Sequence, residues 1–442
     1  MDTRTKLLAA TAMAAVTVST GSPAAAAGRV GAATTVRVSV STTGAQGDRY
    51  ADGPALSGNG RFVAFHASST NLVPGDTNGR EDVFVRDRRS GVTRRVSVTS
   101  GGVQGNRGST EPAISPDGRF VAFHSQASNL VPGDTNNADD VFVHDLRLRT
   151  TRRVSVSGAG AQGDRASGWP SMSPDGRFVV FHSSATTLVA RDTNGSSDVF
   201  LHDLRLRTTR RVSVSSTGAQ AAGQNENAAV SAGGRYVVFW STATNLVRRD
   251  TNGLVDVFVR DVRAGTTTRV SVSDTEAQAS SDRPTFGSSY PGISADGRWV
   301  TFVSGASNLV RGDTNMVEDA FVRDRRRGTT TRISVSTRRA QADGYSYQTK
   351  INSTGRYVVF GSAASNLVPG DTNAEQDVFV HDLRTGKTTR ESVTARGAQA
   401  NSTSLEPAIS ADGRHVGFMS SASNLVPGDT NEAADVFVRD RR

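Results

Sequence analysis

A short apolar strand, a tight turn and a longer apolar strand recur along this chain, and residues 112–158 show one complete unit. Pro112-Ala-Ile-Ser115 reads as a first strand and Pro116-Asp-Gly118 as a turn. Arg119-Phe-Val-Ala-Phe-His124 reads as a second strand, followed by a long polar loop through Asp134-Thr-Asn136. Asp140-Val-Phe-Val-His-Asp145 is a third strand and, after another turn, Thr151-Arg-Arg-Val-Ser-Val156 a fourth. Val and Phe fill adjacent positions in the second and third strands, so these strands are covered on both faces.

The unit repeats. Asp-Thr-Asn begins at Asp76, Asp134, Asp192, Asp250, Asp313, Asp371 and Asp429, and a Gly-Arg step keeps the same register from Gly60 to Gly413. The spacing is 58 residues, except for 63 between Asp250 and Asp313, where five extra residues fall between Gln278 and Gly297. A fixed period of this length marks a repeat architecture. Four antiparallel strands per unit, seven times over, predict an all-β, seven-bladed β-propeller. The ends predict closure. Val36–Val40 is a fourth-type strand with no blade before it, and Asp435–Asp440 is a third-type strand with no fourth after it. The N-terminal strand is therefore expected to complete the last blade, where an open solenoid would need polar caps.

Ser115-Pro-Asp-Gly-Arg-Phe-Val-Ala-Phe123, with Asp140-Val-Phe-Val143 after it, resembles the WD40-like (PD40) repeat of TolB-type propellers. The resemblance covers all seven units. It implies a propeller of that kind, and says little about function. TolB itself has six blades behind an α/β domain and works in the periplasm with an outer-membrane lipoprotein. This chain has seven units and no such domain.

Residues 1–27 read as a secretory signal peptide: Arg4 and Lys6, an apolar stretch from Leu7 to Val18, then Ser22-Pro23 and four alanines. Residues 28–35 form a short linker and 36–442 the propeller, in a protein expected to be secreted, without a membrane span, and monomeric. The absence of cysteine excludes disulfides, a catalytic thiol and thiolate metal sites. The net charge is +9, nearly all of it Arg, since the only lysines are Lys6, Lys350 and Lys387. Such a balance suits acidic polymers, but no stacking platform or known module points to nucleic acid. The arginines around the third-to-fourth turns (Arg86, Arg88, Arg89, Arg94, Arg95; Arg323, Arg325, Arg326, Arg327) are expected on the plain face and outer rim, shielding strand edges.

The second-to-third and fourth-to-first loops are long and emerge on one face, where function concentrates. Three features fall there. The Asp-Thr-Asn loops place an acid or amide at relative positions 1, 3 and 7. They are Asp76, Asn78 and Asp82; Asp134, Asn136 and Asp140; Asp192, Asn194 and Asp198; Asp250, Asn252 and Asp256; Asp313, Asn315 and Asp319; Asp371, Asn373 and Asp377; Asp429, Asn431 and Asp435. This is half of a calcium loop, completed only if a neighbouring loop (Asp48, Asn106, Asp164) adds ligands. The alternative is that Asp and Asn form side-chain turns. Second, a position just before the first strand changes in every unit while its flanks stay nearly fixed: Gly53, Glu111, Trp169, Asn227, Tyr290, Gln348 and Glu406. A ring of such residues at the channel mouth suits a protein, peptide or glycan ligand. Third, the insertion within Ser280–Tyr290 breaks the pseudo-symmetry.

His66, His124 and His182 follow the second strand in three successive units, and His144, His202 and His381 lie in third strands; packing is the expected role for both sets. No Ser-His-Asp order, nucleophile elbow or phosphate loop is present. The sequence favours a binding module over an enzyme. The alternatives are a carbohydrate lyase or glycosidase using Glu111 and Glu406 as an acid/base pair, and a calcium-stabilised structural surface protein.

Overall fold

The computed structural model describes residues 33–280 and 287–441. The signal-peptide segment and most of the insertion lie outside them. Among the described residues, seven four-stranded antiparallel sheets account for every strand, and the only helix is the single turn Ala232–Gly234. β1 (Thr34–Arg37) stands alone at the start. Blade 1 follows as β2 (Ala51–Leu56), β3 (Phe62–Ala67), β4 (Asp82–Asp87) and β5 (Val92–Arg95). Blades 2 to 6 repeat this order, and the first strands neighbour one another around the centre. Blade 7 has Ser404–Ile409, His415–Ser420 and Asp435–Asp440, with β1 paired antiparallel to the last of these, Val36 opposite Val438.

The core lies between blades. In every blade a Phe of the second strand stacks on a Phe of the third, as Phe65 on Phe84 at 5.8 Å between centroids. Each apolar cluster draws on two neighbouring blades: Val83 and Val85 of blade 1 pack with Val121 and Phe123 of blade 2. The seventh joins Val436 and Val438 of blade 7 to Val63 and Phe65 of blade 1, so the ring is closed by the same packing.

Polar groups repeat the lesson. The fourth-strand Thr of each blade donates to a backbone carbonyl of the preceding blade, as Thr93 to Val40 at 2.5 Å, and Thr35 of β1 does the same to Val393 at 2.5 Å. Arg86, Arg260, Arg323 and Arg439, or His144, His202 and His381 at the same register, brace this Thr from the third strand. The three histidines are thus packing residues, as expected from the sequence, with burial the main cause holding His202 and His381 down to about 4.

On the plain face the Gly-Arg-aromatic triplet has its own logic. Arg61 lies 4.7 Å over the Phe62 ring and pairs with Asp87 at 2.7 Å. The glycine of the next blade, Gly118 at φ +72°, lies against that ring, and a Cβ there would fall 2.1 Å from Phe62 Cδ2. Glycine is required both for the left-handed backbone and for the close approach.

Candidate functional site

The variable position lies inside the first strand, not before it: Gly53 is the third of six residues in β2, and Glu111, Trp169, Asn227, Tyr290, Gln348 and Glu406 hold the same place in their blades. There the ladder is bulged. Asp52 faces His66 and Ala55 faces Ala64, so residues 53 and 54 together oppose the single Phe65, and the other six blades shift register at the same point. The sequence hides this extra residue because Ser-Thr-Glu-Pro has no strand-like alternation.

All seven residues have positive φ: 60° at Gly53 and 45–52° at the other six. For Trp169 and Tyr290 this is a costly conformation, one that glycine would adopt without strain. The six side chains line one central cavity of about 340 Å³, together with Lys350 and the apolar residues that follow them in the first strands. The structure thus brings together every residue proposed from the sequence for ligand binding. It also adds Lys350 to the lining and sets Asp52 near enough to Glu406 and Glu111 for their charges to interact, neither of which the fixed-flank argument found.

The lining is polarised. Blades 7 and 2 contribute Glu406 and Glu111, with Asp52 of blade 1 close by; blades 3 to 6 contribute Trp169, Asn227, Tyr290 and Gln348. Burial pushes the Glu111 carboxyl up to about 7; Glu406, Asp52 and Glu81 add to the effect and Lys350 opposes it. Burial and then Glu406 push Asp52 up to about 6 against the hydrogen bond from Gly53 N. Glu406 is oriented by Gln348, whose Nε2 donates to its Oε1 at 2.6 Å. Trp169 is 46% and Tyr290 40% exposed, with the exposed Tyr50 and Tyr345 immediately before the first strands of blades 1 and 6.

His66, His124 and His182 lie within second strands behind this ring. His124 Nε2 is bonded to Thr110 at 2.9 Å, and its Nδ1 accepts weakly from Trp169 N at 3.4 Å. Burial, followed by the charge of His124, holds His66 and His182 down to about 4.

The Asp-Thr-Asn loops show a different chemistry. Arg95 Nη1 bridges Asp76 and Asp82, at 3.1 Å from each. Asn78 Nδ2 donates to Asp82 at 3.0 Å and Ser97 Oγ donates to its other oxygen at 2.5 Å. Arg153, Arg211, Arg269, Arg332, Arg390 and, across the closure, Arg37 occupy the same place in the other blades. Gln162 adds a further donor to Asp134 and Asp140. Calcium needs oxygen ligands; these carboxylates face N–H and O–H donors and already have a cation, so the donor set does not fit the metal. Among the described residues, no group of three or more His, Cys, Asp or Glu side chains is arranged to hold a metal ion. Arg95 accordingly belongs to the loop-rich side rather than the plain rim. The expected result of melting the protein in EGTA and then in millimolar calcium is an unchanged transition. A rise that grows with the logarithm of calcium concentration would reinstate the loops as ion sites.

No family model matches the chain, and no curated protein matches it. Solved structures do. TolB from Acinetobacter baumannii is similar with a TM-score of 0.39 and 16% identity over 70% of this chain, which spans only 59% of that one. An oligogalacturonate lyase in complex with manganese gives 0.55 and 12% identity, over 92% of this chain and 93% of the other. The β-propeller domain of the Trilobed protease from Pyrococcus furiosus gives 0.54 and 10% identity, over 89% and 96%. That domain has an open velcro topology, whereas β1 closes the ring here. At these identities the likeness is one of fold. With the strand order it supports one assignment, a β-propeller of seven four-stranded blades.

Proposed function

We propose that the chain is an exported binding module that captures a protein, peptide or glycan ligand at the mouth of its central channel. One observation carries this reading: six of the seven bulge positions hold non-glycine residues at positive φ, two of them large and exposed aromatics. Strain of this kind persists where a side chain is wanted in one place. The scaffold is otherwise uniform, so the channel mouth is where one blade differs most from the next.

The test is a Trp169→Ala, Tyr290→Ala double variant, compared with the parent on glycan and peptide arrays. Loss of the parent's ligands with an unchanged melting temperature is expected. An identical binding profile would remove the channel mouth from consideration.

A second reading has its own support. Glu111 is held up to about 7, while Gln348 orients Glu406, an asymmetry suited to a general acid and its partner. On that reading the module is a carbohydrate lyase or glycosidase, and Glu111→Gln abolishes turnover of polysaccharide substrates. Unchanged turnover in the variant would leave binding alone.

A further inference from the structure

We infer that the ligand presents an alkylammonium group, which seats between Glu111 and Glu406 and meets Trp169 and Tyr290 in the same cavity; this rests on the channel mouth being the binding site.

The argument starts from charge. The whole chain has 51 Lys and Arg against 42 Asp and Glu, yet among the described residues no arginine lines the cavity. Among the described residues its one cation is Lys350, set against Glu111 and Glu406, with the charge of Asp52 close enough to act on both carboxylates. A cavity of the opposite sign to the molecule around it concentrates cations and repels anions.

An unsatisfied acceptor lines the cavity as well. Gln348 spends its N–H on Glu406, and its buried Oε1 has no partner. At blade 1 the bulge residue is Gly53, and the His66 ring fills the place of a side chain there. A buried acceptor without a donor is costly, and an ammonium supplies three donors together with the charge the carboxylates need. A sugar hydroxyl would supply donors but no charge. Trp169 and Tyr290 then offer ring faces to the cation or its alkyl chain.

Two probes distinguish a free amine from a protein side chain: spermidine, and the peptide acetyl-Gly-Lys-Gly-Lys-Gly-amide. The same peptide with Glu in place of Lys is the control. Titration calorimetry is expected to show binding of at least one cationic probe and none of the acidic peptide, with Glu406→Gln and Glu111→Gln each weakening it about tenfold or more. Tighter binding of spermidine assigns a free polyamine, and tighter binding of the peptide a lysyl side chain.

Affinity should also rise between about pH 6 and 8, because the incoming cation must displace the Glu111 proton. That carboxyl is faced by Glu406, Asp52, Glu81 and Lys350. The rise should flatten in Glu111→Gln. Circular dichroism confirms that both variants are folded. If neither cationic probe binds, or if both variants bind as the parent does, the ammonium assignment is wrong. The channel-mouth reading would still stand if Trp169→Ala, Tyr290→Ala abolished array binding, and would fall with it if that variant changed nothing.

Discussion

Truncating the chain before Val38 is expected to lower the melting temperature by several degrees and to make the protein prone to self-association. Removing β1 strips Arg37 from Asp429 and Asp435, each 3.1 Å from its guanidinium, and Asp435 is fully buried. Breaking a buried pair by deleting one partner costs about 3–5 kcal/mol. It also removes the Thr35 bond to Val393 and bares the edge of Asp435–Asp440, a template for intermolecular pairing. Arg37→Ala in the intact chain isolates the first effect, and Arg95→Ala places the same loss within blade 1. Thermal melts and light scattering on all three separate the causes. Equal behaviour of truncated and full-length chains would mean that closure by β1 contributes nothing.

Gly297→Ala should be nearly as damaging, although it adds a single methyl group to a tight turn. Gly297 has φ +72°, and the new Cβ would lie 2.1 Å from Tyr236 Cδ2. That ring cannot yield freely, since Arg235 and Arg325 cover it at 4.7 and 4.5 Å. The left-handed backbone costs about 1–2 kcal/mol and overpacking about 1–3 more. Gly370→Ala is the control: φ is +73°, but nothing lies within 4 Å of its Cβ. Urea denaturation should show a clear gap between the two variants. Equal losses would assign the whole cost to the backbone and none to the contact between blades.

The blades, their number and their closure are legible in the sequence because periodicity survives without any knowledge of contacts. Pro116-Asp-Gly118 and the Val-Phe pairs are local signals, and local signals determine strands. The channel ring is visible for a different reason: Glu111, Trp169 and Tyr290 vary just before a strand and turn that repeat in every unit. What stays hidden is pairing across distance. Arg95 is 19 residues from Asp76 and reads as one more solvated charge, so the Asp-Thr-Asn loops look like acid in need of a metal. Only the fold shows that the fourth strand returns its arginine to the loop. Gly118 likewise reads as a turn residue, and its second duty, accommodating Phe62 of the preceding blade, requires the blades to be assembled.

The bulge has one further consequence, for how such proteins diversify. Seven positions share one backbone conformation and six of them one cavity, while the core packing, the ion pairs and most interblade bonds are carried elsewhere. A substitution there changes the ligand surface and leaves the architecture alone, so the ring works as a seven-letter word written on a constant page. Exchanging letters between blades, Trp169 with Asn227 for example, should rewrite specificity at little cost in stability, a route open to selection and to the protein engineer alike.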